Sequence, residues 1–239
     1  TPGWDIGECL AVASARFRLY YAESAPATLI EALAGKLDVL AEFLDHRTDF
    51  RFPEVIHAVL FPSALFEQRR QEKPKEWRTR SACDRVSRAV RTVDNRPLAD
   101  TVGALLHEAA HLYNFAVLKS HGLPAVQGDF AGECFCQFYQ EGARVRLSHA
   151  SLPQDPPPCL NDLLDAPVGD AWRQGVIAWL RVLEEKLGGQ FLSALWRRGL
   201  LERQDGAGQT LRRALTTTAQ EYGLSITDVN HLRCSQTAP

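Results

Sequence analysis

Apolar positions along the chain change their period several times, and each change marks an element. Arg16-Phe17-Arg18-Leu19-Tyr20-Tyr21 alternates polar with apolar residues and is rich in strand formers, so it predicts a strand. From Thr28 to Leu44 the apolar residues Leu29, Ile30, Leu33, Leu37, Leu40 and Leu44 follow a helical spacing. Val55 to Phe61, apolar except for His57 and ended by Pro62, has the pattern of a buried strand, and Ser63 is placed to cap a short helix after it. The charged stretch Arg69 to Arg80 reads as a surface loop, and Arg85 to Val93 as a strand at the sheet edge.

Leu98 to Lys119 carries Val102, Leu105, Leu106, Ala109, Leu112 and Phe115 at the spacing of a buried helix. Pro97 and Asp100 suit its first turn, and Gly122 and Pro124 stop it. A reversal at His121-Gly122-Leu123-Pro124 leads to a second helix, expected over 129–148 with Asp129 as its cap. Ser151 to Cys159 is Pro-rich and reads as a boundary between lobes 1–150 and 151–239. Beyond it, helical patterns run over Asp170 to Leu187, stopped by Gly188-Gly189, then over Gln190 to Leu201, Thr210 to Tyr222 and Thr227 to Leu232. The fold class expected is α+β and mostly helical, with a small N-terminal mixed sheet and a helical C-terminal lobe.

Composition narrows the function classes. A net charge of −2 and a pI near 6.4 give no electrostatic reason to expect nucleic acid or an anionic membrane as partner. No apolar run reaches membrane-spanning length. The chain begins at Thr1 and holds no Met, as removal of a signal peptide or trimming would leave it. Cys9, Cys83, Cys134, Cys136, Cys159 and Cys234 are scattered with no CxxC pair. They suit a secreted or periplasmic protein with up to three disulfides better than a thiolate zinc site, although a cytoplasmic location stays open.

The chemistry concentrates in His107-Glu108-Ala109-Ala110-His111. Two histidines four apart lie on one helical face and can hold one metal ion, and Glu108 is placed to act on a water beside it. Two histidines and a glutamate in a mostly apolar helix are costly without a partner, and a metal supplies one. A catalytic zinc takes three protein ligands and keeps one position open. Position 117, where a third His would belong in one arrangement, is Val117, and His121 lies too far along the helix end. Glu133, 22 residues past His111 on the expected second helix, is the leading third ligand, with Glu141 and Asp129 as alternatives.

This HExxH pattern resembles the zincin superfamily of zinc metallopeptidases. Glu133, Phe135 and Cys136 are similar to the E-x-F-A ligand motif of its gluzincin type, with Cys in the Ala slot, while Glu141-Gly142-Ala143 resembles the E-G-x-A form. The resemblance covers about Arg16 to Arg146. It implies a zincin-like fold in which the sheet packs on the HExxH helix and an edge strand takes the substrate backbone by strand addition. It also implies Zn²⁺ as cofactor, a peptide or protein as substrate, and hydrolysis by a zinc-bound water that Glu108 deprotonates. An oxyanion-stabilising group from the lower lobe is implied too, with His231, Tyr139 and Tyr222 as candidates. A non-catalytic zinc-binding module or regulator on a peptidase scaffold is the alternative, and a helical interaction protein carrying the pattern by chance a third.

Overall fold

Five short strands, nine α-helices and one π-helical turn make up the secondary structure of the described residues. The structure, a computed structural model, describes residues 4–126, 128–148, 156–203 and 206–233. The fold is α+β, with one small mixed sheet. Two compact units are formed: one from Thr1–Asp45, Arg51–Tyr113 and Tyr139–Ala150, the other from His46–Phe50, Asn114–Phe138 and Ser151–Pro239.

The first unit holds the sheet, in the order β1-β2-β3-β5-β4. Strands β2 (Phe17–Tyr21), β3 (Ile56–Phe61) and β5 (Ala89–Val93) run parallel, and β1 (Leu10–Ala13) and β4 (Ala82–Asp84) close the two edges antiparallel. Parallel neighbours need crossovers. Helices α1 (Ala27–Ala34) and α2 (Leu37–Thr48) connect β2 to β3, and α3 (Ser63–Glu72) with β4 connects β3 to β5. On one side of the sheet Ile6, Val59, Phe61, Phe66 and Val93 form a buried cluster, flanked by Trp4, Tyr20, Leu65 and Trp77.

Several expectations are corrected here. The single helix over 28–44 is two helices, because the chain turns at Gly35 and Lys36, the Lys36 N–H closing on the Leu33 carbonyl at 2.8 Å. Asp38, early in α2, then accepts from Ser14 Oγ at 2.6 Å and from the Arg16 N–H at 3.0 Å, pinning the new helix to the β1–β2 corner. Arg69 to Glu72 belongs to α3 and not to a loop, and Ser63 opens that helix with its own N–H bonded to Asp94 Oδ1 at 2.9 Å. The expected edge strand 85–93 is shorter and interior: all five residues of β5 are buried between β3 and β4, and the edge is β4. Polar residues alternate with apolar ones over 85–93, as at an edge, but the most polar of them in β5, Arg91, is buried.

Helix α4 (Leu98–Ser120) ends where expected. Gly122 takes a left-handed φ of 67°, and the Leu123 N–H bonds back to the Leu118 carbonyl at 2.9 Å. Such a reversal favours a residue without Cβ. The expected helix 129–148 divides in two. Asp129–Cys134 is a π-helical turn, followed by α5 (Phe135–Ser148). Asp129 does not cap it; the cap position is Gly128, with no side-chain cap bond.

The second unit is helical: α6 (Leu160–Asp165), α7 (Asp170–Leu201), α8 (Ala207–Glu221) and α9 (Ile226–His231). Helix α7 kinks at Gly188, where φ is 84°, the point at which the Gly-Gly pair predicts a stop. Trp172, Trp179, Phe191 and Trp196 are buried along it, and their indole N–H groups are satisfied, Trp172 by the Leu163 carbonyl at 3.1 Å and Trp179 by that of Pro158 at 2.9 Å. Among the described residues no helix is long and apolar enough to cross a membrane.

The described cysteines do not form the expected disulfides. Cys9, Cys83, Cys134, Cys136 and Cys159 are not joined in disulfides, and Cys234 lies outside the described residues. Cys134 and Cys136 are buried. Burial pushes the Cys134 thiol up to about 12, so it stays protonated at neutral pH.

Candidate metal centre

His107 and His111 stand one turn apart on α4, and their rings turn toward each other. Their Nε2 atoms are 3.1 Å apart and the ring centroids 4.9 Å. Two imidazoles on one tetrahedral zinc, at about 2.0–2.1 Å each, hold their nitrogens about 3.3 Å apart, so the pair is already near ligand spacing. Burial, with the neighbouring His111 adding to it, pushes His107 down to about 4, against a hydrogen bond with Gln140 that acts the other way. His107 is therefore neutral at physiological pH, the form that ligates metal.

The donor atoms of His107, His111 and Glu133 all lie within 4.8 Å of one another. They are the one group of three or more His, Cys, Asp or Glu among the described residues able to hold a metal ion. Donors on a tetrahedral zinc stand about 3.3 Å apart, so a donor at the far limit of that spread must close by about 1.5 Å to ligate. Two imidazoles and one carboxylate leave a fourth position open, the catalytic rather than the closed structural type of set. By the chemistry of the donor set the residues fit a zinc ion. Neither Glu141 nor Asp129 belongs to the group. Asp129 is engaged by Arg173, whose Nη2 donates to its Oδ1 at 2.7 Å. Glu133 is exposed and lines an open cleft with Asp129, Gln137, Asp170, Arg173 and Gln174.

Glu108 is half-buried beside the pair, and the positive charges of Arg91 and Arg96 act on it. Arg91 is only 2% exposed. Its guanidinium lies over Trp77 at 4.5 Å and Trp4 at 5.3 Å and donates to the Thr79 carbonyl at 3.2 Å. Burial lowers it to about 10, which leaves it a cation at neutral pH.

A second set of bonds fixes α4 two residues past His111. Tyr113 is fully buried and donates to Asp45 Oδ1 at 2.5 Å, and Arg16 grips the same carboxylate at 2.7 and 3.1 Å. Asn114 is buried between the Ala131 carbonyl and Trp196.

The candidate oxyanion donors are placed as follows. Tyr139 is buried with its ring edge-on to Phe43, centroids 5.9 Å apart. His231 is exposed in the last turn of α9, and Tyr222 is exposed just past α8 against Phe191. Asp100 pairs with Arg144 at 2.8 Å. Sequence reasoning missed Arg91, Gln140 and Arg173. Only Arg91 left a trace, as a lone charge inside the apolar run Ala89-Val90-Arg91-Thr92-Val93.

Comparison with family models, with curated proteins and with solved structures finds no match to this chain.

Proposed function

We propose that this protein is a zinc-dependent peptidase of the zincin class and gluzincin type, hydrolysing peptide bonds in a peptide or protein substrate. The observation that carries the reading is the convergence of the His107, His111 and Glu133 donor atoms within 4.8 Å, with Glu108 next to the first of them in the chain. His107 and His111 would hold the ion as neutral donors, and Glu133 would add the single negative charge. A zinc ion bound there supplies Lewis acidity, polarising the substrate carbonyl and making water easier to deprotonate. Glu108 takes the proton as water adds to the carbonyl carbon, and delivers it to the departing amine nitrogen as the carbon–nitrogen bond breaks. The outer side of β4 offers backbone groups to an extended substrate, the strand-addition mode of peptide recognition. An intact Glu108 favours catalysis over a non-catalytic metal module, which has no use for a base at that position.

Zinc content and peptide cleavage, measured together on wild type, Glu108→Gln and Glu133→Ala, test this reading. We expect one zinc per chain and cleavage of a peptide library for wild type. Glu108→Gln keeps the zinc and loses cleavage by about 100-fold or more, the range of a lost general base. Glu133→Ala loses the zinc. Folded wild type that binds no zinc refutes the proposal, and zinc binding without cleavage of any peptide moves it to the non-catalytic alternative.

A further inference from the structure

Glu133 stands on the least regular turn of the described chain. A π turn is rare, is held by wider hydrogen bonds than an α-helix, and needs support from outside. Widening the turn also frees backbone carbonyls that must find other donors when buried. Here the support is visible at three successive residues. Asp129, the first residue of the turn, accepts from Arg173 Nη2 at 2.7 Å, and Arg173 Nη1 reaches Asp170 at 3.3 Å. The Phe130 ring packs closely on Gly199 of α7, where a Cβ would stand 2.6 Å from its Cε1. The buried carbonyl of Ala131 accepts from Asn114 Nδ2 at 3.3 Å. Asn114 is itself oriented, because its Oδ1 accepts from Trp196 Nε1 at 2.9 Å, which leaves the amide nitrogen facing the turn.

Glu133 follows two residues later. Its side chain is exposed, while Cys134 and Phe135 beyond it are buried. Its direction follows the backbone of the turn that carries it. We propose that Arg173 and Asn114, the latter oriented by Trp196, are positioning residues that lock the π turn and so aim Glu133 at the metal. The inference rests on Glu133 being the third ligand.

Cobalt(II) titration of the metal-stripped full chain tests it, because the visible bands of cobalt report the number and kind of ligands independently of activity. The variants are Arg173→Ala, Arg173→Lys and Trp196→Phe, with Arg212→Ala as control. Arg212 pairs with Asp165 over the same 2.7 Å in the same unit. We expect cobalt affinity to fall about tenfold or more in Arg173→Ala and Trp196→Phe, the usual effect of removing a partner that orients a ligand. The bands should change with it. Arg173→Lys should recover part of the loss, and Arg212→Ala should bind as wild type does. Should Trp196→Phe fail to fold, the partly exposed Arg173→Ala still decides. Affinity and bands equal to wild type in Arg173→Ala, or an equal loss in the Arg212→Ala control, overturns the positioning role. Loss of cobalt in Glu133→Ala alone overturns it while leaving the ligand assignment standing. A wild type that binds no cobalt removes both.

Discussion

Replacing His107 by Gln in metal-stripped protein removes the imidazole that the fold holds most firmly neutral. In the unfolded chain this histidine titrates near 6.5, and in the folded protein burial and the neighbouring His111 bring it to about 4. The sign follows from proton counting. Between these two values the unfolded state binds the proton and the folded state does not, so stability rises with pH across that window. The contribution is complete above about 6.5 and is lost progressively as pH falls toward 4. The gap sets a ceiling of about 3 kcal/mol, of which about 2 kcal/mol is lost between pH 7 and pH 5. Urea unfolding of wild type and His107→Gln at both pH values measures it, since the difference between the two proteins cancels the titrating groups that do not interact with His107. Wild type should lose about 2 kcal/mol more than the variant over that step. Saturating zinc should enlarge the pH dependence of wild type and leave that of the variant nearly unchanged, because ligand nitrogens must be proton-free to bind metal. Parallel pH dependences of the two metal-free proteins would refute the claim that His107 is held neutral by its surroundings.

Tyr113→Phe should cost about 1.5–2 kcal/mol in urea unfolding, the net value of a hydrogen bond to a charged group, because Asp45 keeps both Arg16 bonds and is not left alone. A cost below about 0.5 kcal/mol, the usual effect of a surface change, would show that the hydroxyl does not anchor α4. A thiol reagent on native protein should modify exposed Cys9 first and leave Cys134 and Cys136 untouched until the chain unfolds; prompt reaction of either buried thiol contradicts the packing around Glu133.

Local signals carried the first part of the site. The spacing of His107 and His111, the apolar face of α4 and the stop at Gly122 all act within a few residues, so periodicity and turn chemistry were enough to read them. The helical pattern of α7, with its break at Gly188, was legible for the same reason. The same logic failed where a distant partner decided the outcome. Asp129 has the chemistry of an N-cap, but Arg173, 44 residues away, claims its carboxylate. Arg91 looks like the charge of an exposed edge, but Trp4 and Trp77 from two other segments enclose it. Gly35 was passed over because the apolar spacing of residues 28–44 continues across it, while the bonds of Asp38 to the β1–β2 corner favour a break there.

The π turn is the case with the most consequence for function. Nothing in Asp-Phe-Ala-Gly-Glu-Cys distinguishes it from an ordinary first helical turn, because its shape depends on Gly199 admitting Phe130 and on Asn114 taking up the Ala131 carbonyl. An α-helical start would place successive side chains about 100° apart, whereas the wider i→i+5 turn rotates less at each residue and so shifts every residue after it. On the proposed assignment Glu133 comes to its place through contacts made by residues 129 to 131, none of which belongs to the donor group. A substitution at Gly199 or Trp196, far along the chain from HExxH, should therefore disturb the metal site more than a comparable change on the exposed surface of α5.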